Sequence, residues 1–352
     1  MYDRPGVGRP APGDLYRAAV GDGARSLAVV GTARGVGKTS TFNCLVSQAQ
    51  AAGVRVGLMA SGREGEEVDG AGHDDHLAVH APRGSLVATA AEALRRSEAY
   101  LEVLDVLNHT GPLGQIVLAR VCEPGRLLLA GPPTVRALRE AVGRLNALGA
   151  DLVLVDGSLD RVASAAPLVT GGTVVATGAA VGGGLREVAD RTRLLLEFLR
   201  LPRVEDRRLQ HAAGRAVRQW RVAVVHDDYR VAPLSLRTAL GSAGTIAGAI
   251  EEGARALVVA GALAEGVLEA MAGLGRRQPG LQVVVPNGTH VFAGSRAWAR
   301  FGRAGGKITV LQSIAVRAVT LNPFGPEGIA LDPDQLLEEI GRLARPLPVF
   351  DL

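Results

Sequence analysis

Short apolar runs alternate with longer amphipathic stretches along nearly the whole chain, a rhythm that predicts mostly parallel α/β sheet with helices on both faces. Residues 26–31 read Ser-Leu-Ala-Val-Val-Gly, a β-branched run that predicts a buried strand. A glycine-rich loop follows, then a helix over 39–52 closed by Gly53, and a second strand over 54–60. The stretch 85–109 predicts helix, ahead of strands over 115–120 and 127–130. Helical spacing at 134–148, strands at 151–156 and 173–176, and a helix over 185–199 after Gly182-Gly183-Gly184 complete this part.

Residues 201–208, a proline followed by mixed charges, read as a linker. Beyond them the alternation restarts, with strands over 221–225, 256–260, 282–285, 307–311 and 316–321 and a last helix over 334–344. The pattern therefore predicts an irregular lead-in over 1–24, a first α/β domain over 25–202, and a second, smaller α/β domain over 203–352. No repeat of solenoid period interrupts it.

Composition refines this picture. Hydrophobic residues are 47% of the 352 but aromatics only 3%, so the cores must be built from Ala, Val and Leu. The net charge is +4, and the only lysines are Lys38 and Lys307. Arginines are interleaved with acids, as in Arg136, Arg139 and Glu140 or Arg186, Glu187, Asp190 and Arg191, the pattern of solvated helix faces. That distribution argues against nucleic-acid binding, which favours a stripe of cations with stacking aromatics. Two cysteines, Cys44 and Cys122, lack disulfide or metal-ligand spacing and fit a reducing compartment. With no apolar leader and no membrane-length run, the expected location is the cytoplasm.

The chemistry is concentrated in the loop after the first strand, Gly31-Thr32-Ala33-Arg34-Gly35-Val36-Gly37-Lys38-Thr39. A glycine-rich turn between a strand and a helix aims backbone N–H groups and the positive end of a helix dipole at phosphate oxygens. The expected cofactor-binding set is Gly31, Thr32, Arg34, Gly35, Val36, Gly37, Lys38, Thr39 and Ser40. In such a P-loop, Lys38 reaches the β- and γ-phosphates, Thr39 ligates Mg²⁺ and Ser40 touches the α-phosphate. One departure stands out: the common spacing puts a first glycine at position 32, where this chain has Thr32, with Gly31 one residue earlier. The first domain is thus expected to be a P-loop NTPase domain.

A metal-assisting carboxylate is expected at the end of a neighbouring strand, and Asp156, after Leu152-Val-Leu-Val, occupies that place. Lys38, Asp156 and Glu64 form the expected catalytic set, Glu64 with Arg63, Glu66 and Asp69 being candidates to position water or sense the γ-phosphate. Thr39 and Asp156 form the expected metal set. Asp160 and Arg161 either join the site or pair with each other. His73, Asp74, Asp75, His76 and His80 have metal-binding side chains but read as acidic surface loop. The groups His226-Asp227-Asp228 and Asn287-Gly288-Thr289-His290, each after an apolar strand, read as turn chemistry, with a second ligand or partner site at the sheet's edge as the alternative. No Asn-Lys-x-Asp guanine motif is present, so ATP with Mg²⁺ is the expected ligand.

The segment GTARGVGKTS resembles the loop of dethiobiotin synthetase and its class, which includes the MinD/ParA ATPases, cobyric acid synthase and the metallochaperone GTPases. The resemblance covers about residues 25–200. Ala33 stands where the MinD/ParA branch has a second lysine, so an intermonomer lysine finger is not expected. Against dethiobiotin synthetase the chain is longer and lacks the Lys-Pro segment after the second strand. Over the full length, residues 2–10, 61–69, 156–167, 321–328 and the ending PVFDL are together similar to the smaller component of the reactivating factor for lysine 5,6-aminomutase, an adenosylcobalamin- and pyridoxal-phosphate-dependent enzyme. That resemblance implies ATP- and Mg²⁺-dependent release of damaged cobalamin, jointly with a larger MutS-like ATPase subunit. A stand-alone ATP-dependent ligase or kinase and a nucleotide-sensing scaffold remain the alternatives.

Overall fold

A computed structural model describes residues 14–21, 23–62, 79–157, 162–274 and 280–352. The chain divides into two compact units, one of residues 1–193 with 315–352 and the other of residues 194–314.

The first unit opens with helix α1 (Leu15–Val20), strand β1 (Ser26–Gly31), helix α2 (Lys38–Ala51) and strand β2 (Val56–Ser61). Next come β3 (Val79–Ala81), β4 (Leu86–Ala90), the short helix α3 (Ala91–Arg95), β5 (Tyr100–Gly111), β6 (Gly114–Glu123) and β7 (Gly125–Leu127). Helix α4 (Val135–Ala147), β8 (Leu152–Gly157), β9 (Gly172–Gly178) and α5 (Gly184–Leu199) follow, the second unit beginning at Leu194 within α5. Residues 85–109 are therefore mainly strand, not helix. Ala and Leu favour helix locally, but β5 and β6 fold into an antiparallel hairpin across Gly111–Gly114, and pairing overrides propensity.

The second unit contains α6 (Arg207–Gln219), β10 (Val222–His226), β11 (Val231–Pro233), α7 (Ala243–Gly248), β12 (Ala254–Val259) and β13 (Leu263–Ala264). It continues through α8 (Glu265–Leu274), β14 (Gln282–Val285), β15 (Val291–Phe292), α9 (Ser295–Arg303) and β16 (Lys307–Val310). Its main sheet has the order β11-β10-β12-β14-β16. β12, β14 and β16 run parallel, whereas β10 is antiparallel to both its neighbours. Alternate strand residues divide between two cores: Leu257 and Val259 pack with Ile246, Leu268 and Phe301, while Ala256 and Val258 pack with Leu209, Ala213 and Ala216 of α6.

The chain then returns to the first unit with β17 (Val316–Asn322), α10 (Pro333–Ala344) and β18 (Val349–Asp351). The expected second domain over 203–352 is thus corrected: the smaller unit is an insertion, and its last stretch belongs to the first sheet. The cause lies in parallel pairing, which lets β17 join β9 after a long excursion.

Among the described residues the large sheet has the order β18-β17-β9-β1-β8-β2-β4-β6-β5. All pairs from β18 to β4 are parallel; only the β4–β6 and β6–β5 pairs are antiparallel. The central strands β1, β2 and β9 are buried along their whole length, which is why they read as unbroken apolar runs. Leu27, Val29 and Leu58 face Phe42, Leu45 and Ala49 of α2, and Met59, Val153 and Val155 face Leu138, Ala141 and Leu145 of α4. Burying a leucine-sized side chain contributes roughly 1.5–3 kcal/mol. Leu27 and Val29 anchor β1 against α2 and so fix where its terminal glycine sits.

Candidate functional site

From β1 the chain crosses to β2 on one side, and from β9 it leaves for β17 on the other. Their carboxyl ends therefore flank a topological switch point, the place where an open α/β sheet forms a crevice. Gly31, Asp156, Gly178 and Asn322 all lie at or next to the carboxyl ends of their strands at this edge.

The loop between β1 and α2 is shaped by close approach. A Cβ on Gly31 would lie 2.9 Å from both Cγ and Cδ of Lys38 and 2.9 Å from Cγ2 of Val36. Gly35 and Gly37 have φ of 71° and 87°, the left-handed region that disfavours side chains. Gly37 caps α2, whose first helical bond runs from Thr41 N to Gly37 O at 2.9 Å. The amides of Lys38, Thr39 and Ser40 therefore lack helical acceptors and mark the positive end of the helix dipole. Lys38 is only 7% exposed, and its ammonium folds back to donate to the Ala33 carbonyl at 3.3 Å.

Neighbouring strands hold the loop from outside. Thr32 N donates to Ala176 O at 3.1 Å, and its hydroxyl donates to Thr177 Oγ1 at 2.9 Å. Thr177 meets Thr192 at 2.7 Å, and Thr192 donates to Val188 O at 2.7 Å, continuing the hydroxyl chain into α5. Asn322, at the end of β17, donates from Nδ2 to Gly35 O at 3.3 Å and accepts from Phe324 N at 3.1 Å. A Cβ on Gly35 would stand 3.2 Å from Ala180, and one on Gly37 would stand 3.1 Å from Asn322. Sequence reasoning missed Thr177 and Asn322 as site residues. An isolated threonine inside a strand carries no signal, and the apolar pattern places Asn322 in the other domain.

The structure brings together Gly31, Thr32, Gly35, Val36, Gly37 and Lys38, with Arg34 and Ser40 exposed and Thr39 half-buried in the first turn of α2. Asp156 is half-buried on β8, in register with Val29 of β1 and Ala60 of β2. Gly182, Gly183 and Gly184 all have positive φ and form the turn into α5. Glu64, Arg63, Glu66, Asp69, His73, Asp74, Asp75, His76, Asp160 and Arg161 lie outside the described residues. His80 lies on β3, where its backbone N donates to Asn43 Oδ1 at 3.2 Å. Among the described residues no group of three His, Cys, Asp or Glu is arranged to hold a metal.

The polar groups at the two turns of the inserted unit serve the backbone. Asp228 accepts from Arg230 N at 2.9 Å, and Asn287 accepts from the amide and hydroxyl of Thr289 at 3.0 and 2.6 Å. Burial holds the His290 imidazole below its ordinary pKa of 6.5. No helix among the described residues is long and apolar enough to cross a membrane. Compared with protein-family models and with curated proteins, the chain matches none.

Proposed function

We propose that the Gly31–Thr39 loop is a P-loop that binds ATP with Mg²⁺, and that its hydrolysis drives remodelling of a partner protein. The observation that carries the reading is a glycine-walled turn whose first helical amides converge with Lys38 at the switch point of a parallel sheet. The residues fit a triphosphate. Side chains are excluded at Gly35 and Gly37, so a phosphate can approach the backbone, and its charge is met by amide dipoles and the Lys38 ammonium. Lys38 would give up its Ala33 carbonyl for a β- or γ-phosphate oxygen, a charge-assisted bond contributing roughly 1.5–3 kcal/mol. Thr39 and Asp156 are the residues that would hold Mg²⁺, which when bound offsets phosphate charge. The chain has no Asn-Lys-x-Asp motif, which supports ATP over GTP.

The partner is proposed from the full-length resemblance. In this reading the chain is the smaller subunit of a reactivating factor that releases damaged cobalamin from lysine 5,6-aminomutase, with a larger MutS-like ATPase subunit. Tightly held cofactor leaves a buried site slowly, and nucleotide-driven opening of that site would speed its exchange. Reconstitution tests it: inactivated mutase, this chain, the larger subunit, ATP, Mg²⁺ and fresh cobalamin should restore activity only when all are present. Equal recovery without this chain would refute the partner assignment, and ATP turnover stimulated by one small metabolite would favour a stand-alone ligase or kinase.

A further inference from the structure

Several arginines of this chain are matched by acids on the same surface. On α5 Arg191 pairs with Glu187 at 2.9 Å and Arg193 with Asp190 at 3.0 Å, on the β5–β6 hairpin Arg120 pairs with Glu102 at 3.2 Å, and on α10 Arg342 pairs with Glu339. Helix α6 breaks the pattern, carrying Arg207, Arg208, His211, Arg215 and Arg218 and no acid. Leu209, Ala212, Ala213 and Ala216 are buried, so the charges share the opposite face. Arg207, His211, Gly214 and Arg218 follow one another at intervals of four, three and four residues and so form one stripe.

That stripe walls a groove of about 670 Å³ within the inserted unit, with Arg203, Glu205 and Gln210 also lining it. Arg203 is held on ordered backbone: Val204 N donates to Val310 O and Val310 N to Pro202 O, each at 2.9 Å. With its amide turned to accept, Gln210 takes bonds from Arg203 Nη2 and Nε at 2.5 and 2.9 Å, which ties that guanidinium to α6. The acid at the head of the helix, Asp206, is committed elsewhere. Its carboxylate accepts from Arg208 N, Leu209 N, the Tyr229 hydroxyl and Arg255. Arg207 and Arg218 make no ion pair among the described residues.

We infer that this groove binds an extended anion bearing several phosphate groups. Guanidinium forks match phosphate oxygens two at a time. From Arg207 to Arg218 the helix rises about 16 Å, room for consecutive phosphates rather than one. A Cβ on Gly214 would stand 3.6 Å from Arg218 Nη1, so that guanidinium reaches back along the helix toward the rest of the stripe. Glu205 is the one carboxylate in the lining, which leaves the groove cationic overall. The site is independent of the role assigned to the glycine loop.

The test is calorimetry with sodium tripolyphosphate on the full chain carrying Lys38→Ala, which removes the loop's cation. Saturable binding is expected, weakened at least about tenfold by R207Q together with R218Q and further by added salt. Arg300 and Arg303 on α9 also lack an acidic partner among the described residues and do not line this groove. R300Q together with R303Q is therefore the matched control and should bind like the parent. Circular dichroism confirms that each variant is folded. No saturable heat, or equal binding by the α6 and α9 variants, would overturn the inference; citrate binding as tightly as tripolyphosphate would overturn phosphate as the ligand class.

Discussion

Thr32 occupies a position where glycine is common in such loops, and its surroundings explain why no glycine is needed. Its backbone does not adopt positive φ, and its side chain is used, bonding Thr177 at 2.9 Å. The strict requirement falls instead on Gly31, against Lys38, and on Gly35 and Gly37. Gly37→Ala should therefore cost about 1–2 kcal/mol of stability from the left-handed backbone alone and push a methyl against Asn322. Chemical denaturation alongside ATP titration checks this, with binding lost more steeply than stability. Unaltered affinity in a folded variant would contradict it. At this scale the loop was legible because glycine spacing and one lysine carry their own chemistry. Asn322 was not legible, since its role comes from a hydrogen bond to Gly35 across 287 positions of chain.

Elements were legible where burial and periodicity agree. β1, β8 and β14 lie where apolar runs predict them, and α4 is capped by Thr134, whose side chain accepts from Ala137 N. They were not legible over residues 85–109, where helix-favouring residues are drawn into β4 and β5 by pairing with β6. The turn Gly288–His290 gives an element-scale prediction. Burial lowers the His290 pKa, so below about 6.5 the unfolded chain binds the proton more readily than the folded one. The stability that this neutral histidine supports is present above that pH and lost as pH falls through the folded value. Thermal unfolding between pH 7.5 and 5 should show this loss, and His290→Gln should shrink it. An identical pH profile in the two proteins would contradict it.

For the whole molecule, the decisive feature is that residues 315–352 return to the first sheet. Residues 201–208 are not a linker: the excursion begins at Leu194 within α5, Leu201 and Val204 are buried in the inserted unit, and nothing in the apolar run Val316–Leu321 says which sheet it joins. β17 beside β9 is what brings Asn322 to the glycine loop, so the loop is braced by β9 through Thr177 and by β17 through Asn322. The central claim is that this braced loop selects a nucleoside triphosphate, and isothermal titration of ATP with Mg²⁺ tests it most directly. One saturable site is expected, with affinity reduced roughly tenfold to a hundredfold in Lys38→Ala as a charge-assisted phosphate bond is lost. No heat from any purine triphosphate, or identical binding by wild type and Lys38→Ala, would contradict it.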